Sequence, residues 1–116
     1  MLPYKRSQRV SHLLREEVSD IVMHRIKDPR LGFLTVTDVD VTEDLKIARI
    51  YISILREEEI EISLEILNSA KRFIRSELGK RLRMKFIPVL EFRLDTTARY
   101  GDKIERLLKK IREKGQ

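Results

Sequence analysis

Apolar residues recur along this chain with two different periods, and the switches between them mark out its elements. Over residues 6–27, Val10, Leu13, Leu14, Val18, Ile21 and Val22 fall three and four apart and form one stripe of an amphipathic helix. Glu16, Glu17 and Asp20 lie off that stripe, and Ser7 and Ser11 are candidate caps at its start. Asp28-Pro29 ends it, because the residue before a proline is pushed out of the α region. Residues 31–41, LGFLTVTDVDV, are rich in β-branched side chains. They alternate Phe33, Thr35, Thr37, Val39 and Val41 with Leu34, Val36, Asp38 and Asp40, which predicts a strand. A polar turn, Thr42-Glu43-Asp44, leads into residues 46–55, where Ala48, Ile50, Ile52 and Ile54 share one face. Two strands joined by so short a turn make a hairpin.

Helical spacing returns over residues 57–83. Ile60, Leu64, Leu67, Ala70, Ile74 and Leu78 make a continuous stripe, with four glutamates at its start and Lys80, Arg81 and Arg83 at its end. Both ends suit the helix dipole. About 27 residues of helix would be ~40 Å long, too long for so small a domain, so a bend is expected within it. Residues 85–95 form a third strand with Leu90, Phe92 and Leu94 inward, and Pro88 restricts it to an edge or to the strand's start. Ile104, Leu107, Leu108 and Ile111 predict a short helix over residues 100–114. The order closes as a two-layer α+β domain, a three-stranded sheet with helices on one face.

Composition narrows the class. The 116 residues are 41% hydrophobic and 38% charged, with no Cys and no Trp. That is enough apolar content for one modest core of Ile, Leu and Val. Without cysteine there are no disulfides or thiolate metal sites, as in a reducing cytoplasm. No apolar run approaches the ~20 residues of a membrane span, and MLPYKRSQRV lacks the apolar centre of a signal peptide. A cytoplasmic protein is expected.

No catalytic constellation emerges. His12 and His24 share one helix without an HExxH pattern. Gly32, Gly79, Gly101 and Gly115 are too far apart for GxGxxG or a P-loop. Asp38 and Asp40 read as solvated residues on one strand face. No enzyme activity, cofactor or metal site is expected.

The charge is concentrated. Between Lys71 and Arg93 the chain has eight Lys or Arg against two Asp or Glu, a balance of +6 that equals the net charge of the whole chain. Residues 31–70 hold nine Asp or Glu against three Lys or Arg. The bland reading of such a run is a solvated face. The imbalance, the excess of arginine and the opposing acidic segment favour a phosphate partner instead. Lys71, Arg72 and Arg75 flank one side of the apolar stripe, and Lys80, Arg81, Arg83 and Lys85 follow into the turn. With few aromatics, structured RNA backbone is favoured over stacking on single-stranded bases. Further cations, Lys5, Arg6 and Arg9 at the start and Arg106, Lys109, Lys110, Arg112 and Lys114 at the tail, fit RNA-reaching arms and solubilising ends equally well.

Three segments together carry a family resemblance: RVSHLLREEVSDIVMHRIKDPRLGFLTVTDVDVTEDLKIARIYISIL, LNSAKRFIRSELGKRLRMKFIPVLEFRLD and YGDKIERLLKKI. Over about residues 5–113 the chain resembles ribosome-binding factor A, a bacterial small-subunit maturation factor. The resemblance implies a type II KH-like fold, α-β-β-α-α-β, over residues 1–95, with residues 96–116 as a helical extension. It implies a monomer that binds small-subunit ribosomal RNA on the immature small subunit late in assembly, with links to rRNA processing and cold adaptation and no catalysis. Contacts would come from Lys71, Arg72, Arg75, Lys80, Arg81, Arg83 and Lys85, with Arg6 and Arg9. The family's Ala-x-Gly kink falls on Ala70-Lys71-Arg72, where arginine replaces glycine. Arginine resists positive φ, so a shallower bend, or one displaced toward Gly79, is expected. The rival reading is a protein-interaction module that recruits a basic partner through Asp38, Asp40, Glu43 and Asp44.

Overall fold

Helix α1 spans Arg6–His24, in a computed structural model that describes residues 5–97. It stops short of the expected end. The Arg25 N–H still reaches Ile21 O at 2.8 Å, but Asp28 then organises a turn of its own. Its carboxylate accepts the Arg30 N–H at 2.9 Å, and its carbonyl accepts the Leu31 N–H at 3.0 Å. Neither serine caps α1. Ser7 is buried within the first turn, while the Ser11 hydroxyl donates to Ser7 O at 2.8 Å and accepts the Val41 N–H at 3.1 Å. The residue expected to start the helix therefore ties it to the end of the first strand.

Strands β1 (Leu34–Val41) and β2 (Ile47–Ile54) pair antiparallel, with a bulge between Val36 and Asp38. Strict alternation would put Val36 on the opposite face from Val39 and Val41. The extra residue, Thr37, resets the phase, and all three valines are buried. The Thr37 hydroxyl lies 2.7 Å from Asp95 Oδ2 and 3.2 Å from Tyr51 O, so the bulge is held across the sheet.

The long helical segment is divided. A 3-10 turn, Glu57–Glu59, leads into α2 (Ile60–Ser69), and α3 follows as Lys71–Arg81. The break is Ala70, at φ −89° and ψ 3°. The expectation of a bend displaced toward Gly79 is wrong. Gly79 lies inside α3, and a Cβ there would meet only Ile87 Cγ1 at 4.0 Å. Arg72 sits in the first turn of α3 and avoids positive φ altogether. Among the described residues, Leu45 is the non-glycine residue with positive φ. The break has a packing cause. An eight-residue strand spans only ~27 Å, so a straight rod from residue 57 to 83 would overrun the sheet. Broken at Ala70, α2 lies on the third strand and α3 on α1, so Leu67, Ile74 and Leu78 are all fully buried.

Strand β3, Val89–Leu94, runs parallel to β2, giving the order β1-β2-β3 with β2 central. It begins later than expected because the fully buried Pro88 has no N–H. The first ladder bond is Val89 N–H to Lys46 O at 2.8 Å. One sheet face, with Ile50, Ile52 and Leu90, meets Leu14, Val18 and Ile21 of α1 in the core. The other carries alternating charges, Asp40 opposite Arg49 and Arg49 beside Glu91. The element order and mixed sheet are those of a type II KH-like domain. The helix expected over residues 100–114 lies outside the described residues, as does all but the start of the 96–116 extension. No described helix is long and apolar enough to cross a membrane.

Candidate nucleic-acid interface

The fold sorts the basic segment into cations paired with carboxylates and cations without a carboxylate partner. Arg81, at the end of α3, belongs to the first class. Its Nη1 donates to Asp20 Oδ2 at 2.6 Å and to Glu17 Oε2 at 3.2 Å, both on α1, and its side chain is only 26% exposed. Nε lies 4.0 Å from Glu77 Oε2. The guanidinium beside Asp20 holds that carboxyl below the usual carboxylate range. Two of the three off-stripe acids of α1, Glu17 and Asp20, are thus the receptor for Arg81, which acts as a strut between α1 and α3. Lys80 approaches Glu77 more loosely, at 3.7 Å, and remains exposed. Arg93, part of the same charge excess, is paired with Glu91 at 3.0 Å on the sheet face.

Lys71, Arg72, Arg75, Arg83 and Lys85 form the second class. Among the described residues none has a carboxylate within 4.0 Å. Arg72, Arg75, Arg83 and Lys85 are exposed, and Lys71 is half-buried. Arg75 donates from Nη2 to Ile87 O at 2.8 Å, which pins the α3–β3 loop to α3. The other four occupy two stations about 16 Å apart along α3, the length of its eleven residues. Lys71 and Arg72 stand at the Ala70 break. Arg83 and Lys85 stand on the loop beyond its other end.

Two hollows that the sequence did not reveal lie on this surface, one at the Ala70 break, which Lys71 and Arg72 do not line, and one at the loop, which Lys85 lines. At the break, Ala70, Ile66, Ser69 and Glu65 share a shallow cleft of about 420 Å³ with Lys27, Asp28 and Arg30 of the turn after α1. Arg30 is clamped by Asp28 through Nε and Nη2, at 3.1 and 2.8 Å, but Lys27 has no such clamp among the described residues. At the loop, Lys85 and Phe86 share a groove with Arg6 at the start of α1 and Lys46 of the β1–β2 turn. Arg9 lines a separate hollow with Gln8, His12 and Leu13. Lys27 and Lys46 stand outside the basic run, and only tertiary packing brings them to it.

The acidic hairpin is largely satisfied from within. Lys5 Nζ reaches Glu43 Oε1 at 2.6 Å and holds that carboxyl below its ordinary range. Asp44 Oδ1 accepts from the Thr42 hydroxyl at 2.6 Å and the Lys46 N–H at 3.1 Å. Asp38 Oδ1 accepts its neighbour's N–H at 2.9 Å.

Comparison with known proteins agrees with this architecture. The family model for ribosome-binding factor A matches residues 6–108. The ribosome-binding factor A of Thermodesulfovibrio yellowstonii is 54% identical over 113 residues, 97% of this chain and 96% of that protein. That of Staphylococcus carnosus is 42% identical over 94% of this chain and 96% of its own length. The crystal structure of the Thermus thermophilus factor superposes with a TM-score of 0.68 at 31% identity, covering 76% of this chain and 94% of that one. The solution structure of a Thermotoga maritima protein described as a putative member gives 0.70 at 30%, covering 80% and 90%. A homology model of the Thermus thermophilus factor, fitted into the cryo-EM map of a complex with the 30S subunit, gives 0.64 at 32%, covering 73% and 90%. On sequence and fold together, the chain belongs to the ribosome-binding factor A family.

Proposed function

We propose that this protein is a non-enzymatic assembly factor that binds ribosomal RNA of the immature small subunit late in its maturation. The observation that carries the proposal is the sorting of the cations. A protein that needed its basic segment only for stability would pair it, as Arg81 and Arg93 are paired. Five neighbours are left without a carboxylate, on one helix and the loop after it, and phosphate is the ligand that such a set suits. The Thermus thermophilus factor fitted into a 30S complex supports the choice of partner. In this reading residues 1–95 are the RNA-binding unit, residues 96–116 extend it, and the protein works as a monomer in the cytoplasm. It acts by occupying and ordering RNA rather than by chemistry, with a place in rRNA processing and growth in the cold.

Crosslinking of the full chain to immature small subunits, read out by nucleotide, tests this. Crosslinks from α3 and the α3–β3 loop should fall on ribosomal RNA, and nuclease treatment should release the protein. Retention after nuclease, with crosslinks confined to ribosomal proteins, would overturn the proposal in favour of a protein-interaction module.

A further inference from the structure

The groove at the α3–β3 loop differs from the rest of the basic surface because its floor is apolar. Leu45, Met84, Ile87, Pro88 and Val89 line a space of about 620 Å³, with Arg6, Lys46 and Lys85 among its walls. Phe86 is 75% exposed and Val89 53%. An exposed phenylalanine beside an exposed valine gains nothing for folding, and Phe86 belongs to a segment held firmly on either side. Leu82 is buried before it, Pro88 is fully buried after it, and Arg75 grips Ile87 O. Lys85 Nζ lies 5.8 Å from the Phe86 ring centroid, so a cation stands over a ring that is otherwise open. Across the groove, Leu45 is held at φ 62°, a costly conformation for leucine, by the Leu45 N–H to Thr42 O bond at 2.8 Å. Among the described lining residues the one carboxylate, Asp44, accepts from the Thr42 hydroxyl and the Lys46 N–H.

We infer that this groove seats an unstacked nucleotide of single-stranded RNA, its base against Phe86 and its phosphates toward Arg6, Lys46 and Lys85. The inference rests on the RNA-binding reading and sharpens it, because structured backbone alone has no use for an apolar floor. Charge complementarity selects the occupant. Three cations around an aromatic and an apolar floor match a base with flanking phosphates. An acidic peptide would meet the same cations and could pair with the outer edge of β3, whose first residue Val89 lines the groove, but an extended peptide backbone offers no planar face to the open Phe86 ring as a base does.

The test uses the full-length protein with three probes: a mixed-sequence single-stranded oligoribonucleotide, a duplex of the same length, and isolated small subunits. Phe86→Ala should weaken single-strand binding about fivefold to a hundredfold, the range for losing one base–aromatic stack. Duplex binding should stay within about twofold, and the salt dependence should not change, because no phosphate contact is removed. Phe86→Tyr, which keeps a ring, should bind within about twofold of wild type. Phe86→Ala binding the single strand as tightly as wild type overturns the inference, as does a photo-crosslinker at position 86 that captures ribosomal protein instead of nucleotide. In either case, small-subunit binding that still depends on Arg72, Arg83 and Lys85 would leave the RNA-binding reading standing. Wild-type protein that binds no RNA at all would remove both.

Discussion

Arg81 and Arg83 are two residues apart and carry the same charge, yet the structure gives them opposite duties. Arg81 is surrounded by Asp20, Glu17 and Glu77, whereas Arg83, Arg72 and Lys85 are exposed with no carboxylate within 4.0 Å among the described residues. The perturbation is the triple change Arg72→Ala, Arg83→Ala, Lys85→Ala, set against Arg81→Ala. Each phosphate contact contributes about 0.7 to the slope of log affinity against log salt for single strands, and about 0.9 for duplex. The triple variant should therefore lose about 2–3 from that slope. Over a fourfold rise in salt, from about 50 to about 200 mM, its affinity should fall about 20- to 40-fold less than the wild type's. Arg81→Ala should leave the slope within about 0.3 of wild type, since its charge is already neutralised. The assay is equilibrium binding to isolated small subunits at four or five salt concentrations, with thermal melting of each variant alongside. Melting should show the reverse pattern, the triple variant unchanged and Arg81→Ala lowered, because the latter removes the link from α3 to Glu17 and Asp20 on α1. An unchanged slope in the triple variant, or an Arg81→Ala slope that drops by a full contact, would refute the sorting of cations on which the functional reading stands.

Other outcomes follow from the packing and the ion pairs. Ile74→Ala, at a fully buried position on α3, should cost about 2–5 kcal/mol in chemical denaturation without changing the salt slope. Gly32→Ala should lower the melting temperature by several degrees. A Cβ there would sit 2.5 Å from Glu59 Oε2 and 3.0 Å from its Cβ, so Glu59 must move, at about 1 kcal/mol. Asp20, Glu43 and Asp95 all titrate below their ordinary values, held by Arg81, Lys5 and the Thr37 hydroxyl respectively. A lowered folded-state pKa gives stability that is present above the unfolded value and lost as pH falls through the folded one. Melting temperature should therefore hold down to the ordinary carboxylate values, 3.8 for Asp and 4.5 for Glu, and fall below them. In Arg81→Ala the deficit relative to wild type should shrink over that acid range, and a deficit that grows on acidification would show that Arg81 is not what holds Asp20.

The sequence was most legible where one period governs a whole element. Strand β2 buries Ala48, Ile50, Ile52 and Ile54, the set its alternation marks. It failed where one residue changes the phase or the length of a pattern. Nothing local to Thr37 announces a bulge, since what holds it is Asp95, 58 residues away. Phe86 shares the even-numbered phase of Leu90, Phe92 and Leu94, so a strand begun at residue 85 would turn it inward. Pro88 ends that phase, and the ring is left in solvent. The small number of aromatics in the composition says nothing of where each one stands, and Phe86 stands in solvent beside Lys85. Likewise the charge run named Arg81 together with Arg83, because pairing depends on Glu17 and Asp20, which lie on another helix.

The break between α2 and α3 shows what arginine at position 72 does and does not change. A glycine in a helix linker matters when the chain must adopt positive φ, and here no residue between 60 and 81 does so. Ala70 makes the turn with a ψ near zero. Its N–H reaches both Ile66 O at 3.0 Å and Leu67 O at 3.1 Å, and its carbonyl accepts the Ile74 N–H at 2.9 Å. The hydrogen-bond ladder therefore crosses the break almost without loss, and the bend is paid for by the burial of Leu67 on one side and Ile74 on the other. Position 72 is released from any backbone duty. An arginine there adds an exposed cation two residues beyond the Ala70 break, and it does so in ordinary helical geometry. Arg72→Gly should accordingly lower stability by about 1 kcal/mol, as glycine does in a helix, and remove one phosphate contact, without sharpening the bend.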